Sequence, residues 1–170
     1  MKYVWSLVAV ALVSFSVASA DDKDEKCDNA SFAKKASCGN LTEVRMAKCA
    51  KDNATNAEVK EFAAKLEAAH SKAQEELKEA CKPSKTECPD KQTKEGKEAS
   101  EKCESLKGEK GFDVAFISMQ IECHEKALKC YEKAAQECEC EKMKAYATDH
   151  IPVIKEHLEM AKKIKRNLEG

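Results

Sequence analysis

Residues 55–80 read TNAEVKEFAAKLEAAHSKAQEELKEA, and this stretch decides the fold class. Thr55-Asn56-Ala57-Glu58 has the form of a capping box, in which Thr and Glu side chains satisfy free amides of a first helical turn. Val59, Phe62, Ala63, Leu66, Ala69, Ala73, Leu77 and Ala80 then recur at three- and four-residue spacing. That period puts them on one helical face, which must be buried against other helices.

Working outward, three more segments share the pattern. The one before it, 29–50, carries Phe32, Ala33, Ala36, Leu41, Val44 and Ala47 and is interrupted by Gly39-Asn40. A third, 112–137, places Phe112, Phe116, Met119, Cys123, Ala127 and Ala134 on a stripe widened by Ile117, Ile121, Leu128 and Tyr131. The fourth, 141–168, runs through Ala147, Ile151, Ile154, Leu158, Ala161, Ile164 and Leu168, and Pro152 is expected to kink it. Between 82 and 111 lie Pro83, Pro89, Gly96, Gly108 and Gly111 with many charges, which reads as a crossover holding one short helix near Glu98 to Leu106. The expectation is an all-α four-helix bundle of two hairpins (29–50 with 55–81, 112–137 with 141–168) joined by a long crossover.

The N-terminus sets the compartment. Lys2 precedes an uncharged apolar run, Val4 to Val17, that ends in Ala18-Ser19-Ala20, the form of a secretory signal peptide over residues 1–20. A membrane-spanning helix needs roughly 20 apolar residues, and this run is shorter. The expected mature domain, 21–170, is therefore periplasmic or extracellular, without a transmembrane anchor. It keeps all 31 acidic residues and 29 of the 30 basic ones, a net charge near −2 that gives no reason to expect nucleic acid as a partner. A protein partner or oligomer is left open.

Ten cysteines in an exported chain favour disulfides. Cys27, Cys38 and Cys49 are spaced by eleven and share one face to within about 20° per step, so they can pair only with a neighbouring element. Cys123 and Cys130 also share a face, Cys81, Cys88 and Cys103 bracket the crossover, and Cys138 and Cys140 lie before the last helix. The expected bundle is laced by disulfides, with connectivity open among about nine hundred pairings. Thiolate metal binding is the rival, carried by Cys138-Glu139-Cys140 and Cys123-His124, but no pair of CxxC units is present. Sequons occur at Asn29, Asn40 and Asn53; Asn29 and Asn53 read equally well as residues at helix starts.

Several stretches resemble the bacterial domain-of-unknown-function family 4142. They are Gly39-Asn40-Leu41-Thr42-Glu43-Val44, Asn56-Ala57-Glu58-Val59-Lys60-Glu61-Phe62-Ala63 and His70-Ser71-Lys72-Ala73-Gln74-Glu75-Glu76-Leu77 in the first half. In the second half they are Gly111-Phe112-Asp113, His124-Glu125-Lys126-Ala127-Leu128 and Ile151-Pro152-Val153-Ile154-Lys155-Glu156-His157-Leu158. The resemblance spans Phe32 to Lys163 and implies a ferritin-like bundle exported by bacteria, with no settled activity. The chain departs from the family pattern at Ala69 and Cys123, where acidic residues are expected before His70 and His124, and in its wealth of cysteine.

Four polar residues fall on or beside the apolar stripes, one per helix. His70 continues Phe62, Leu66 and Ala73, and His124 continues Ile117, Ile121 and Leu128. His157 neighbours Ile154, Leu158 and Ala161, and Glu43 joins Ala36, Ala47 and Ala50. A hairpin turning near Glu139 sets His124 one helical turn from His157, so the two can meet. Glu43, His70, His124 and His157 are thus candidate ligands for a transition-metal ion inside the bundle. The competing reading is a set of buried hydrogen-bonding groups that fix helix register. Glu67-Ala68-Ala69-His70 is the one Glu-x-x-His spacing, which argues against a full diiron centre. His150 is either exposed or a further ligand. No nucleophile-elbow or triad signature appears, and the sequence leans away from catalysis. Two functions remain: a non-catalytic binding or structural role in envelope maintenance or stress tolerance, and a ferritin-like metal-binding protein.

Overall fold

The structure is a computed structural model that describes residues 27–170; the expected signal peptide lies outside the described residues. It is all-helical, with α1 (Asn29–Asn53), α2 (Ala57–Cys81), α3 (Lys94–Ser105), α4 (Phe112–Glu137) and α5 (Glu141–Glu169). The four long helices match the four amphipathic segments. No described helix is long and apolar enough to cross a membrane.

Local chemistry departs from expectation at several points. α1 runs unbroken through Gly39-Asn40. A helical glycine costs only about 1 kcal/mol relative to alanine, which packing on α2, α3 and α4 outweighs. α2 is capped by Asn56, whose side chain accepts from the Glu58 and Val59 amides, rather than by Thr55. Thr55 instead donates its hydroxyl to Asp113 at 2.6 Å, and the Asn56 amide donates to the same carboxylate at 2.8 Å, so α4 anchors the α1–α2 turn. In the crossover, α3 starts earlier than expected because Thr93 accepts from the Gly96 amide as its N-cap. Asn53 ends α1 rather than starting a helix, donating to the Cys49 carbonyl at 2.8 Å. α5 continues through Pro152.

α3 lies on α1, and Gly96 explains how closely. A β-carbon there would come within 2.6 Å of Thr42 Oγ1 and 2.7 Å of Cys38 Sγ. Gly111, with φ 106°, supplies the left-handed turn before α4 that glycine adopts most readily.

α1 pairs with α2 and α4 with α5, while α2 also packs on α5 and α1 on α4. Two apolar clusters fill the interior. One holds Met46, Phe62, Leu66, Phe116, Ile117 and Ile164; the other holds Phe32, Leu77, Tyr131, Met143, Tyr146 and Ile154. The chain meets these clusters in opposite order on α1 and α2 and again on α4 and α5, and in the same order on α2 and α4. The crossover must therefore travel the length of the bundle. On every long helix polar residues lie between the clusters: Asn40 and Glu43, His70 and Gln74, Gln120 and His124, and His157, alongside the small or apolar Ala73 and Leu158. The interior has a polar belt at mid-height.

The ten cysteines, all among the described residues, are not joined by disulfides in this structure. Cys27, just before α1, and Cys38 and Cys49 on it turn to different neighbours. The Cys27 thiol meets that of Cys138, Cys38 lies 3.2 Å from Thr93 Oγ1, and Cys49 meets Cys103 of α3.

Candidate metal centre

α2, α4 and α5 each bring one histidine to the belt. The rings of His70, His124 and His157 form a near-equilateral triangle, with centroid separations of 5.6, 5.7 and 5.4 Å. One nitrogen from each lies within 4.8 Å of the other two. His124 Nε2 and His157 Nδ1 are 3.4 Å apart. A tetrahedral ion with metal–nitrogen bonds of about 2.1 Å holds its nitrogens about 3.4 Å from one another, so this pair already has the required span.

Hydrogen bonding sets the tautomers. His124 Nδ1 lies 2.9 Å from the Gln120 carbonyl, an obligate acceptor, so Nδ1 carries the proton and Nε2 presents its lone pair inward. His70 Nδ1 lies 3.1 Å from Asn40 Oδ1. Asn40 Nδ2 faces Gln74 Oε1 at 3.4 Å and Tyr146 Oη at 3.3 Å, which fixes the amide with its oxygen toward His70. His70 therefore donates from Nδ1 and leaves Nε2 as an acceptor, and that Nε2 is buried without a hydrogen-bond partner. A metal-bound histidine commonly has its second nitrogen held in this way, by a carbonyl or carboxylate behind it.

Electrostatics keep the rings neutral. Burial holds His70 well below the ordinary imidazole value, reinforced by the charges its neighbours would carry. Burial likewise brings His124 down to about 4 and lowers His157. Neutral imidazole is the form that binds a metal, so the trio stays competent well into mild acid.

The other sequence candidates are placed differently. Glu43 is fully buried on α1, but it does not join the group of three. It lies beside Gln120 and the Cys123 thiol, nearer the first cluster. Burial raises its carboxyl to about 7; Gln120 and Cys123 oppose that shift in part. Its Oε2 and both amide atoms of Gln120 lack a partner at hydrogen-bonding geometry. Glu67 faces outward to Lys51 at 2.6 Å, so the Glu-x-x-His spacing does not work as a unit. The His150 ring lies against Tyr146 at 4.1 Å, tilted by 34°, and its Nε2 is 3.2 Å from Glu76, outside the trio. Cys138 and Cys140 diverge, the first toward Cys27 and the second toward Ser84.

Two further belt residues, Asn40 and Gln120, carry no ligand signature in the sequence. Asn40 belongs by sequence to the Gly39-Asn40 break and to a sequon, yet it is buried at 3 % exposure and occupied on both sides of its amide. Its spacing carried a signal: Asn40 lies four residues after Ala36 and three before Glu43, on the same face. Gln120 lies midway between Phe116 and His124.

Neither the comparison with curated proteins nor that with solved structures returned a match. The comparison with family models did, over residues 15–164, which includes all three histidines. The chain belongs to the family described as a domain of unknown function, DUF4142.

Proposed function

We propose that this protein is an exported helical bundle that binds one divalent transition-metal ion at its mid-height, through His70 Nε2, His124 Nε2 and His157 Nδ1. The observation that carries the reading is the convergence of three neutral imidazoles, two buried and that of His70 half-buried, whose ligating atoms lie within 4.8 Å of one another. Two of them have their tautomers fixed from behind, and one presents an orphaned nitrogen. An unpartnered buried polar atom costs about 1–3 kcal/mol, and coordination would remove that cost.

Three neutral nitrogens suit zinc, copper, nickel or iron rather than calcium or magnesium. They leave a fourth position for water or an anion. Removal of the signal peptide would place the protein in the bacterial periplasm or outside the cell, where it would hold the ion in an envelope or stress-related role without catalysis.

The test is equilibrium dialysis of metal-free full-length protein against Zn²⁺. The reading predicts one ion per chain in the wild type and its loss in a His124→Ala/His157→Ala double variant that keeps its helical circular dichroism. Equal binding by the double variant would move the ion to the thiols. No binding by the wild type would leave the trio as a polar layer that fixes helix register.

A further inference from the structure

The cysteines are not scattered. Six of them form three couples in which each thiol contacts the other: Cys27 with Cys138, Cys49 with Cys103, and Cys81 with Cys88. Each couple is framed by further contacts of the chain around it.

At the first couple, the N-terminus of α1 is strapped to the α4–α5 turn. The Cys27 amide donates to Glu137 Oε2 at 2.8 Å, and Asn29 Oδ1 accepts from the amides of Glu139 and Cys140 at 3.1 and 3.2 Å. At the second, Cys49 and Cys103 are buried in the same apolar cluster, where α3 lies on α1. One turn before Cys49, Arg45 pairs with Glu104, the residue after Cys103, at 2.7 Å. At the third, the chain after α2 folds back on itself. The Thr86 amide donates to the Cys81 carbonyl at 3.1 Å, and Gln74 Nε2 reaches Cys88 Sγ at 3.9 Å. Gln74 precedes Cys81 by two helical turns on the same face, so Cys88 is laid along that face.

We propose that these three couples are oxidation sites, and that the exported protein carries the disulfides Cys27–Cys138, Cys49–Cys103 and Cys81–Cys88. Each bond forms by loss of two thiol protons and two electrons to an external low-molecular-weight disulfide, which is reduced to two thiols. The first link clamps α1 to the α4–α5 hairpin, the second fixes α3 on α1, and the third closes the start of the crossover. Together they tie the start of α1 to the α4–α5 turn, α1 to α3, and the end of α2 to the crossover.

The buried thiols resist ionisation; burial and the partner sulfur push Cys81 and Cys138 up to about 12. Because the thiolate is the attacking species, oxidation of the folded reduced protein is slow and waits on local opening. Oxidation during folding is faster.

The test refolds the full-length chain in a mixture of reduced and oxidised glutathione, alkylates what remains, and maps tryptic peptides without reduction. Intact mass is expected to fall by six hydrogen atoms relative to the reduced chain, with the three named links in the map. Cys138 and Cys140 share a peptide, so Cys140→Ser and Cys138→Ser are mapped beside the wild type. The link to Cys27 persists in the first and disappears in the second. A Cys27 link to Cys130 or Cys140, or alkylation of Cys49 and Cys103 to the same extent before and after oxidation, overturns the assignment of that couple. Scrambled links throughout overturn the whole.

Discussion

Glu43→Gln should stabilise the metal-free protein at alkaline pH and leave it unchanged in acid. The carboxyl is buried, with one oxygen unpartnered, and its folded-state value rises from 4.5 to about 7. Below pH 4.5 it is neutral both folded and unfolded, so it exerts no pH-dependent penalty there. Between 4.5 and 7 the unfolded chain ionises while the native state holds the proton, and stability falls by 1.36 kcal/mol per pH unit. Over that interval the loss is about 3 kcal/mol, fully present by pH 8. Glutamine has the same shape and no charge, so it removes the penalty. Urea unfolding followed by far-ultraviolet circular dichroism, in reducing and chelating buffer at pH 4.5 and pH 8, measures the difference. At slopes of about 1–3 kcal/mol/M, the variant's midpoint at pH 8 should exceed the wild type's by about 1–3 M, with near-coincidence at pH 4.5. An offset of the same size at both values would show that Glu43 ionises without penalty and that its burial does not raise the carboxyl.

Asn40→Leu should weaken zinc binding about 10–100-fold, because it removes the group that fixes the His70 tautomer; competition against a chromophoric chelator reads this directly. Asp113→Ala should destabilise the fold by about 2–4 kcal/mol, since it strips the shared acceptor from the Thr55 and Asn56 amides and the Thr55 hydroxyl. Gly96→Ala should cost about 1–3 kcal/mol in urea unfolding, because its β-carbon meets Thr42 and Cys38 at less than van der Waals separation.

The long helices were legible because burial of one face imposes a period, and residues 57–81 and 112–137 obey it closely. α1 was harder to read. It is covered on two sides, by α2 and α4 and again by α3, so Thr42, Met46 and Cys49 are buried beyond the single stripe that Phe32, Ala36 and Ala47 define. α3 was partly hidden because its buried residues are Gly96, Ser100 and Cys103, none of which reads as an apolar stripe. The capping of α2 was misassigned because Thr55 and Asn56 are both good caps by type. Only the distant Asp113 decides between them, by taking the Thr55 hydroxyl.

At the belt, periodicity identified four polar residues on inward faces, and helix register after the Glu139 turn brought His124 to His157. It could not set the height of Glu43 relative to the histidines, which depends on how α1 is staggered against α4. It also could not separate a residue that ligates from one that orients. Asn40 shares a face with Glu43, and the two differ by the length of their side chains and by one helical turn.

The most direct measurement of the central claim is X-ray absorption at the zinc edge of protein loaded with one equivalent of Zn²⁺. Three histidines predict a first shell of nitrogen or oxygen alone at about 2.0–2.1 Å, with the outer-shell pattern of imidazole rings. A sulfur shell at about 2.3 Å would place the ion among the cysteines and contradict the account.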